Sequence, residues 1–316
     1  MTKFKPKAVD EFELIQKFFV RSDEAPGVTT GIGDDGAVLR PDSGRELIAV
    51  IDTLVEGIHF PDGTDPIDIG YRAVAVNLSD IAAMGGRPRW MTLALTLPSA
   101  EESWVSRFAE GLHAAAAEFQ VALVGGDTTL GKSLVVSVQI TGDVVTGTAI
   151  KRSGAQVGDQ IFVTGTVGDA AAGLELLSAG NPDNYLSARF LRPKARVDYG
   201  QALTGIATAA IDLSDGLYAD LSKLLVASDV GGVLRIEQLP VSKQLCAMFD
   251  PETQRRLALS GGDDYELCFT APADCAPILS ELLVTDIGSV TDDESLVCHL
   301  DGQVVSFEDS GYRHFQ

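Results

Sequence analysis

Apolar residues near the start of the chain repeat at the spacing of an amphipathic helix. In residues 11–21 the large apolar side chains fall on one helical face, which predicts a helix over that range. A second helix is predicted over residues 66–84, since Pro66 favours a helix start and Gly85 favours its end. The remaining periodicity of this half predicts one more helix at 101–119 and strands at 36–40, 46–52, 90–97, 121–124 and 134–145.

The pattern changes after Val145, where a stretch rich in Gly, Thr and Ser lacks periodicity and is typical of a connector. We therefore predict two domains, residues 1–148 and 149–316. Strand and helix patterns alternate in both halves, which predicts an α/β protein with helices covering its sheets. In the second half we predict strands at 160–164, 208–213, 233–236, 265–270 and within 285–305, and helices at 168–179, 194–204, 216–228, 242–259 and 274–284.

Composition excludes several classes of protein. The 316 residues include 45 acidic and 24 basic ones, and this surplus of negative charge opposes binding to nucleic acid or to an anionic membrane. No apolar run reaches the roughly 18 residues of a spanning helix, and the N-terminus lacks the apolar core of a secretory signal. A cytoplasmic location is expected. Four cysteines without metal-site spacing are expected to be small core residues: Cys246, Cys268, Cys275 and Cys298.

Aspartates recur in one local setting, beside Gly, Ser or Thr at the end of an apolar segment. A single example is compatible with a turn or a helix N-cap. The whole collection favours a site for magnesium and a polyphosphate, because magnesium takes carboxylate and phosphate oxygens, and glycine lets backbone N–H groups approach phosphate. The segments are Gly31–Asp35, Val50–Thr53, Asn77–Asp80, Gly125–Thr129, Asp212–Gly216 and Gly261–Tyr265.

Asp80 differs from the other aspartates because it lies within a predicted apolar helix. It follows Val76 by four residues and precedes Met84 by four, so its side chain shares a face with expected core residues. A carboxylate in such a place is costly unless it is paired with a cation or hydrogen-bonded. A metal ligand is therefore a physically sensible interpretation of Asp80.

The common nucleotide-binding signatures do not occur in their usual setting. Residues 126–133 match the spacing GxxxxGK[ST], but a strand rather than a helix is predicted after them, and no GxGxxG opens a helix after a strand. The segment Gly165–Asp169 is compatible with a phosphate-binding turn and equally with a plain strand-to-helix turn. A Ser or Cys nucleophile is poorly supported, since no GxSxG is present and only four histidines exist. The remaining chemistry is metal-assisted phosphoryl transfer.

The ordered set of motifs resembles the thiamine-monophosphate kinase family of the aminoimidazole-ribonucleotide-synthetase-like superfamily. The resemblance runs from about Glu11 to Phe315, and the blocks follow the family's order. They are GIGDDGAVL, DTLVEGIHF, AVNLSDIAAMGGRP, LVGGDTT, VTGTVGDAAAGL, IDLSDGL, SGGDDYEL and the terminal GYRHF.

The resemblance implies a two-domain subunit of mixed α and β structure. The N-terminal domain is expected to bind ATP and metal and to form a β-barrel with its twin across a homodimer, with an α/β domain following it. The expected reaction is direct in-line transfer of a phosphoryl group from ATP to thiamine monophosphate, giving thiamine diphosphate, with several magnesium ions and without a general base. The sites are expected in a cleft between the domains.

The resemblance also implies roles for individual residues. The expected magnesium ligands are Asp34, Asp52, Asp80, Asp127, Asp212 and Asp215. The expected ATP contacts are Gly126, Asp127, Arg152 and Ser214. The expected substrate contacts are His59, Asp263 and Tyr312.

Several of these positions have simpler interpretations. His59 is compatible with a hydrogen-bonded core histidine, and Tyr312 with packing of the C-terminal tail. Arg152 is compatible with a surface position, and neighbouring Lys151 with the same role toward ATP. Two further cations, Arg192 and Arg196, are expected to be surface or dimer salt-bridge residues.

Two departures from the family pattern affect details. Val50-Ile51 replaces the usual Ser-Thr before Asp52, which removes oxygens that help to bind metal. Asp263 replaces a glutamate and is one methylene shorter. Two alternatives stay open, another ATP-dependent enzyme of the superfamily such as aminoimidazole ribonucleotide synthetase, and a non-catalytic acidic metal-binding protein.

Overall fold

A computed structural model describes residues 11–21, 25–275 and 279–307. Contacts divide the chain into two compact units, and the division passes through the long helix at residues 66–83. The first unit holds the chain up to Asn77 together with Pro88–Asp143, and the second holds Leu78–Arg87 with the chain from Val144 onward. This mixed α/β architecture with two parts agrees with the predicted fold class.

The first unit is built around a four-stranded sheet with the strand order β3-β6-β4-β5. Strands β4 and β5 are parallel, so β5 lies at an edge of the sheet. A short pair, β1 and β2, lies outside this sheet. The strands are β1 (Val28–Thr30), β2 (Val38–Leu39), β3 (Arg45–Val55), β4 (Arg87–Leu97), β5 (Ala122–Leu130) and β6 (Val135–Val145).

The helices of this region are α1 (Glu11–Leu14), α2 (Pro66–Ala83) and α3 (Glu102–Glu118). The predicted helix at 11–21 is irregular, since α1 continues as a π-helical turn at Ile15–Phe19. Helices α2 and α3 approach closely through two glycines. A Cβ atom on Gly70 would lie 2.1 Å from the Phe108 carbonyl oxygen, and one on Gly111 would lie 1.8 Å from that of Ile67.

The second unit contains a seven-stranded mixed sheet in the order β13-β12-β9-β11-β7-β10-β8. Its core packs α7 against the sheet through side chains such as Val163, Ile211 and Leu221. The strands are β7 (Gln160–Thr164), β8 (Ala209–Asp212), β9 (Gly231–Arg235), β10 (Leu267–Ala271), β11 (Val284–Thr291), β12 (Leu296–Leu300) and β13 (Gln303–Val305). The helices are α4 (Asp169–Ser178), α5 (Asn184–Leu191), α6 (Val197–Ala202), α7 (Leu217–Ala227), α8 (Lys243–Met248) and α9 (Pro251–Ser260).

Two predictions for this unit were wrong, and a third is tested only in part. The sequence pattern missed α5, which begins after Asp183, whose side chain accepts the N–H groups of Tyr185 and Leu186. The helix predicted at 242–259 is two helices, because Asp250 caps the start of α9 and Pro251 occupies its first position. The helix predicted at 274–284 is tested only in part: Ala273–Cys275 and Ser280–Leu282 form short 3₁₀ turns, and residues 276–278 lie outside the described residues.

A buried carboxylate ties several segments of the second unit together. Glu266 is fully buried and accepts hydrogen bonds from Thr164 Oγ1 at 2.6 Å and from Arg189 at 2.9 Å. Arg196 reaches both carboxylate oxygens, with its Nε 2.6 Å from Oε2. This pair corrects the prediction that Arg196 is a surface or dimer residue. It also explains Gly165, where a Cβ atom would lie 2.2 Å from Glu266 Oε1.

The cysteine prediction was half right. Cys268 and Cys298 are buried, whereas Cys246 is exposed and Cys275 is partly exposed. Among the described helices, none is long and apolar enough to cross a membrane.

We predict that Glu266→Gln lowers the free energy of unfolding by about 3–5 kcal/mol, because it leaves two largely buried guanidinium groups without their full counter-charge. Urea denaturation of the wild type and the variant measures this difference. Glu175→Gln is the matched control, since Glu175 forms an exposed pair with Arg256 and its loss is expected to cost no more than about 1 kcal/mol. Equal losses for the two variants would contradict the assignment of Glu266.

Candidate active site

The edge strand of the first unit carries the Gly125-Gly126-Asp127 segment. Gly126 pairs with Leu93 of β4, and a Cβ atom on Gly126 would lie 2.0 Å from the Leu93 carbonyl oxygen. Glycine is therefore required by the sheet itself. An edge strand presents backbone N–H and C=O groups to one side, so this segment offers hydrogen bonds to a ligand. The β-bulge opposite Met91 and Thr92 changes the local direction of the strand.

A cavity of about 440 Å³ lies beside this strand within the first unit. One part of its wall is acidic and includes Asp34 and Asp127, both of which are exposed. The other part is apolar and includes the helical residues Phe12, Ile15 and Phe19. An apolar wall beside polar groups is typical of a site for a ligand with an aromatic ring and a charged end.

Asp52 lies on β3, where side chains alternate between an exposed and a core-facing side. Asp52 is partly exposed and shares the core-facing side with the buried Ile48 and Leu54. Val50 shares that side too, whereas Ile51 is 65% exposed on the opposite face. The missing hydroxyl beside Asp52 is therefore the one at position 50.

His59 follows β3 and is partly exposed, so it is not a core histidine. Its Nδ1 accepts a hydrogen bond from the Val55 N–H at 3.0 Å. A neutral imidazole that accepts at Nδ1 carries its proton on Nε2. The backbone therefore orients His59 with Nε2 as a donor.

Two motif loops of the second unit lie side by side. Asp212 is buried at the end of β8, opposite Leu267 of β10. The Asp263 N–H donates to the Ser214 carbonyl oxygen at 2.9 Å, and the Tyr265 N–H donates to that of Leu213 at 2.9 Å. The structure thus brings together the expected site residues Asp212, Ser214, Asp215 and Asp263.

Asp263 is held in an uncommon backbone conformation. Its φ is +69° and that of Tyr265 is +52°, and non-glycine residues rarely adopt this left-handed region. The Tyr265 hydroxyl donates to Asp263 Oδ1 at 3.1 Å. Such strain is found where surrounding structure fixes a functional side chain, and it identifies Tyr265 as a partner that sequence motifs alone did not distinguish.

Between these strained residues, Asp264 points inward. The residue is 2% exposed, and its carboxylate accepts the N–H groups of Gly168 at 2.6 Å and Ala170 at 3.0 Å, at the start of α4. Burial raises the pKa of Asp264 to about 7, against the opposing effect of Arg189 and the two N–H donors. Because these donors are taken, the plain strand-to-helix turn is the better interpretation of Gly165–Asp169.

The remaining expected site residues differ in their solvent exposure. Asp80 is partly exposed on α2, between the buried Ser79 and Ile81. Lys151 and Arg152 are both exposed, so the structure does not choose between them. Tyr312 falls outside the described residues.

Sequence reasoning missed a second carboxylate near Asp215. Asp220 is buried on α7 and contacts Lys223 and the loop that carries Asp215. Burial raises the pKa of Asp220, and the hydrogen bond from Lys223 opposes that rise. The signal available in the sequence was an acidic residue in the first turns of a predicted helix, five positions after Asp215.

Among residues 11–21, 25–275 and 279–307, no group of three or more His, Cys, Asp or Glu side chains lies close enough to hold a metal ion. Magnesium in phosphoryl-transfer sites is commonly bound by one or two carboxylates, with substrate phosphates and water completing its coordination. Three carboxylates that line the cavity, Asp34, Asp35 and Asp127, supply this kind of donor.

The chain is similar to thiamine-monophosphate kinases at 36–46% identity. A family model for the N-terminal domain of AIR synthase related proteins matches residues 33–144. The thiamine-monophosphate kinase of Salmonella typhimurium is 46% identical over 323 aligned residues, covering 98% of this chain and 99% of the relative.

Solved structures agree with this similarity. The crystal structure of thiamine-monophosphate kinase from Stenotrophomonas maltophilia is 43% identical, has a TM-score of 0.87 and covers 93% of this chain and 98% of its own. A structure of AaThiL complexed with AMPPCP and TMP is 36% identical, has a TM-score of 0.79 and covers 91% of this chain and 93% of its own.

We predict that Gly126→Ala weakens the binding of AMPPCP by at least about tenfold, because the added methyl group cannot fit against Leu93 without moving the edge strand. Isothermal titration calorimetry measures the affinity. Gly36→Ala is the control, since a Cβ atom there meets nothing within 4 Å. Unchanged AMPPCP affinity in Gly126→Ala would show that this strand takes no part in binding AMPPCP.

Proposed function

The chain belongs to the thiamine-monophosphate kinase family, and we propose on this premise that it transfers the terminal phosphoryl group of ATP to thiamine monophosphate. The products are ADP and thiamine diphosphate. The observation that carries the proposal is the 46% identity to a thiamine-monophosphate kinase over almost the entire chain. An acid-lined cavity beside a glycine-rich edge strand supports it.

ATP is proposed to bind at the cavity of the first unit. Its aromatic base has an apolar surface to pack on at Phe12 and Phe19. The backbone of Gly126 and Asp127 faces its phosphates and donates hydrogen bonds along the free edge of β5. Arg152 and Ser214 are further proposed contacts, carried over from the family motifs.

The carboxylates present fit magnesium, because hard oxygen donors are the ligands that this ion prefers. We assign as ligands Asp34, Asp52, Asp80, Asp127, Asp212 and Asp215. When bound, magnesium offsets the repulsion between the phosphates of the two substrates and the charge that develops during transfer.

Asp263 and His59 are proposed to contact thiamine monophosphate. Asp263 is a carboxylate fixed by Tyr265, and it is suited to attract a cationic ring. His59 presents an Nε2–H donor, because its Nδ1 is occupied by the Val55 N–H, and a phosphate oxygen can accept from it. Asp263 is shorter than the family's glutamate, so its contact runs through a bridging water.

The accepting phosphate needs no base, since a phosphate monoester has its second pKa near 6 and is mostly a dianion at neutral pH. One of its oxygens attacks the terminal phosphorus of ATP, the bond from that phosphorus to the bridging oxygen breaks, and ADP leaves. The residues of the chain bind and align the two substrates for this in-line transfer.

A homodimer is proposed from the outer face of the first unit's sheet. Leu47 and Ile51 are 53% and 65% exposed on the same side of β3. Neighbouring apolar side chains on an open sheet face favour a covering partner, and a second copy that completes a barrel would provide it.

We predict that the purified protein with ATP and magnesium converts thiamine monophosphate to thiamine diphosphate and leaves free thiamine unphosphorylated. Chromatographic separation of the thiamine species measures both reactions. Equal turnover of free thiamine would contradict the proposed specificity for thiamine monophosphate. Absence of thiamine diphosphate would contradict the proposed kinase activity.

We predict that Asp80→Asn abolishes nearly all activity but keeps or raises the melting temperature without metal. Loss of one charge from a carboxylate set reduces repulsion, whereas loss of a ligand weakens magnesium binding. The stabilisation by magnesium and ATP in a thermal-shift assay is therefore expected to shrink.

Asp68→Asn on the same helix is the control and is expected to keep full activity. A purely structural Asp80 would instead lose about 1–3 kcal/mol of stability on substitution by Asn. An active Asp80→Asn variant, or an unstable one that binds magnesium and ATP normally, would show that Asp80 is not a ligand.

We predict that the protein sediments as a dimer at micromolar concentration and that Leu47→Asp shifts it toward monomer, because a buried unpaired charge opposes association. Analytical ultracentrifugation measures both. A monomeric wild type would contradict the proposed assembly.

A further inference from the structure

The loop that carries Ser214 and Asp215 is held by a carboxylate further along the chain. Asp220 lies on α7 and is 1% exposed. Its Oδ2 accepts the N–H of Ser214 at 3.0 Å and the N–H of Asp215 at 2.9 Å. Helical side chains lean toward the helix N-terminus, which is why Asp220 reaches back to this loop.

Lys223 links the buried carboxylate to the side chain of Asp215. Its Nζ lies 2.8 Å from Asp220 Oδ1 and also contacts Asp215 Oδ2. The exposed ammonium group of Lys223 therefore neutralises the buried carboxylate of Asp220. It also forms an ion pair with Asp215, which we assign as a magnesium ligand. A divalent cation that binds Asp215 has to displace or share this contact.

The loop backbone is fixed on its other side as well. Gly216 has a φ of +113°, and a Cβ atom there would lie 2.8 Å from the Ser260 carbonyl oxygen. The Ser214 carbonyl oxygen accepts from the Asp263 N–H. The backbone is thus rigid, and the direction of the Asp215 side chain depends on Lys223.

We infer that Asp220 and Lys223 are a positioning pair for the nucleotide and metal loop: Asp220 fixes the amides of Ser214 and Asp215, and Lys223 is an internal counter-cation that competes with magnesium for Asp215. The inference rests on the proposed function, in which Ser214 and Asp215 contact ATP and magnesium. Asp220 and Lys223 act through those two residues.

The two side chains are expected to have opposite effects on metal affinity. In Asp220→Asn the amide oxygen still accepts the loop N–H groups, but the amide NH₂ faces the Lys223 ammonium, donor against donor. Lys223 then turns fully to Asp215 and opposes the metal more strongly. Lys223→Met removes the competitor, and the double variant removes both the clash and the competition.

The test measures Mn²⁺ binding in the presence of AMPPCP by electron paramagnetic resonance, for the wild type, both single variants and the double variant. We expect Asp220→Asn to weaken Mn²⁺ binding roughly tenfold, which is about 1.4 kcal/mol. Lys223→Met is expected to tighten it by roughly two- to fivefold, the range of a partly exposed ion pair. The double variant is expected to bind Mn²⁺ about as tightly as Lys223→Met, because the effect of Asp220→Asn acts through Lys223.

The magnesium dependence of thiamine monophosphate phosphorylation gives a second measurement. Asp220→Asn is expected to need more magnesium for half-maximal rate, while its kcat at saturating magnesium and its KM for thiamine monophosphate stay near those of the wild type. Asp183→Asn is the matched control, because Asp183 also accepts two backbone N–H groups at a helix start. It is expected to change stability alone.

Unchanged Mn²⁺ affinity in Lys223→Met would overturn the inference even if Asp220→Asn fails to fold. A double variant that binds Mn²⁺ more weakly than the wild type, as simple addition of the two effects gives, would overturn it as well. A wild type that makes no thiamine diphosphate would overturn the proposed function itself. If the wild type makes thiamine diphosphate but neither substitution changes the Mn²⁺ affinity, only the assignment of the positioning pair is overturned.

Discussion

The structure depends on how its carboxylates are compensated. A buried or crowded negative charge is stable only with a cation or with N–H donors, and the chain has far more acidic than basic residues. In the second unit, Glu266 has two arginines and Asp264 has the N–H groups at the start of α4. Other carboxylates, such as Asp34, Asp127 and Asp215, lie in glycine-rich segments, where we propose that a metal and phosphates add further compensation.

Neighbouring residues of one motif divide between these two roles. In the segment SGGDDYEL, Asp264 and Glu266 point into the fold. The backbone N–H of Asp263 instead donates to the Ser214 carbonyl oxygen, and its carboxylate accepts from the Tyr265 hydroxyl. The positive φ angles of Asp263 and Tyr265 make this alternation possible. The buried contacts of Asp264 and Glu266 hold this segment in its strained conformation. The network that stabilises the unit therefore also orients Asp263, the proposed substrate contact.

Long periodic elements were predictable from the sequence because their signals are local. Helices α2 and α3 and strands β4 and β6 lie close to their predicted ranges, since apolar spacing and flanking Gly and Pro define them. The partners of the aspartates were not predictable, because Asp264 caps a helix 94 or more residues away in the chain. The same reason applies to Arg196, whose buried pair with Glu266 joins positions 70 residues apart. Motif order did identify the proposed ligands, but the roles of Asp220 and Lys223 depend on contacts to a loop that only the folded chain displays.

The central claim is that the carboxylates assigned as ligands bind metal together with the nucleotide. The most direct measurement counts the Mn²⁺ ions bound per chain with and without saturating AMPPCP, by electron paramagnetic resonance. Our account predicts that the protein with AMPPCP binds more Mn²⁺ than AMPPCP binds alone at the same concentration, and that the protein by itself binds it only weakly. Binding that equals that of free AMPPCP would contradict the account.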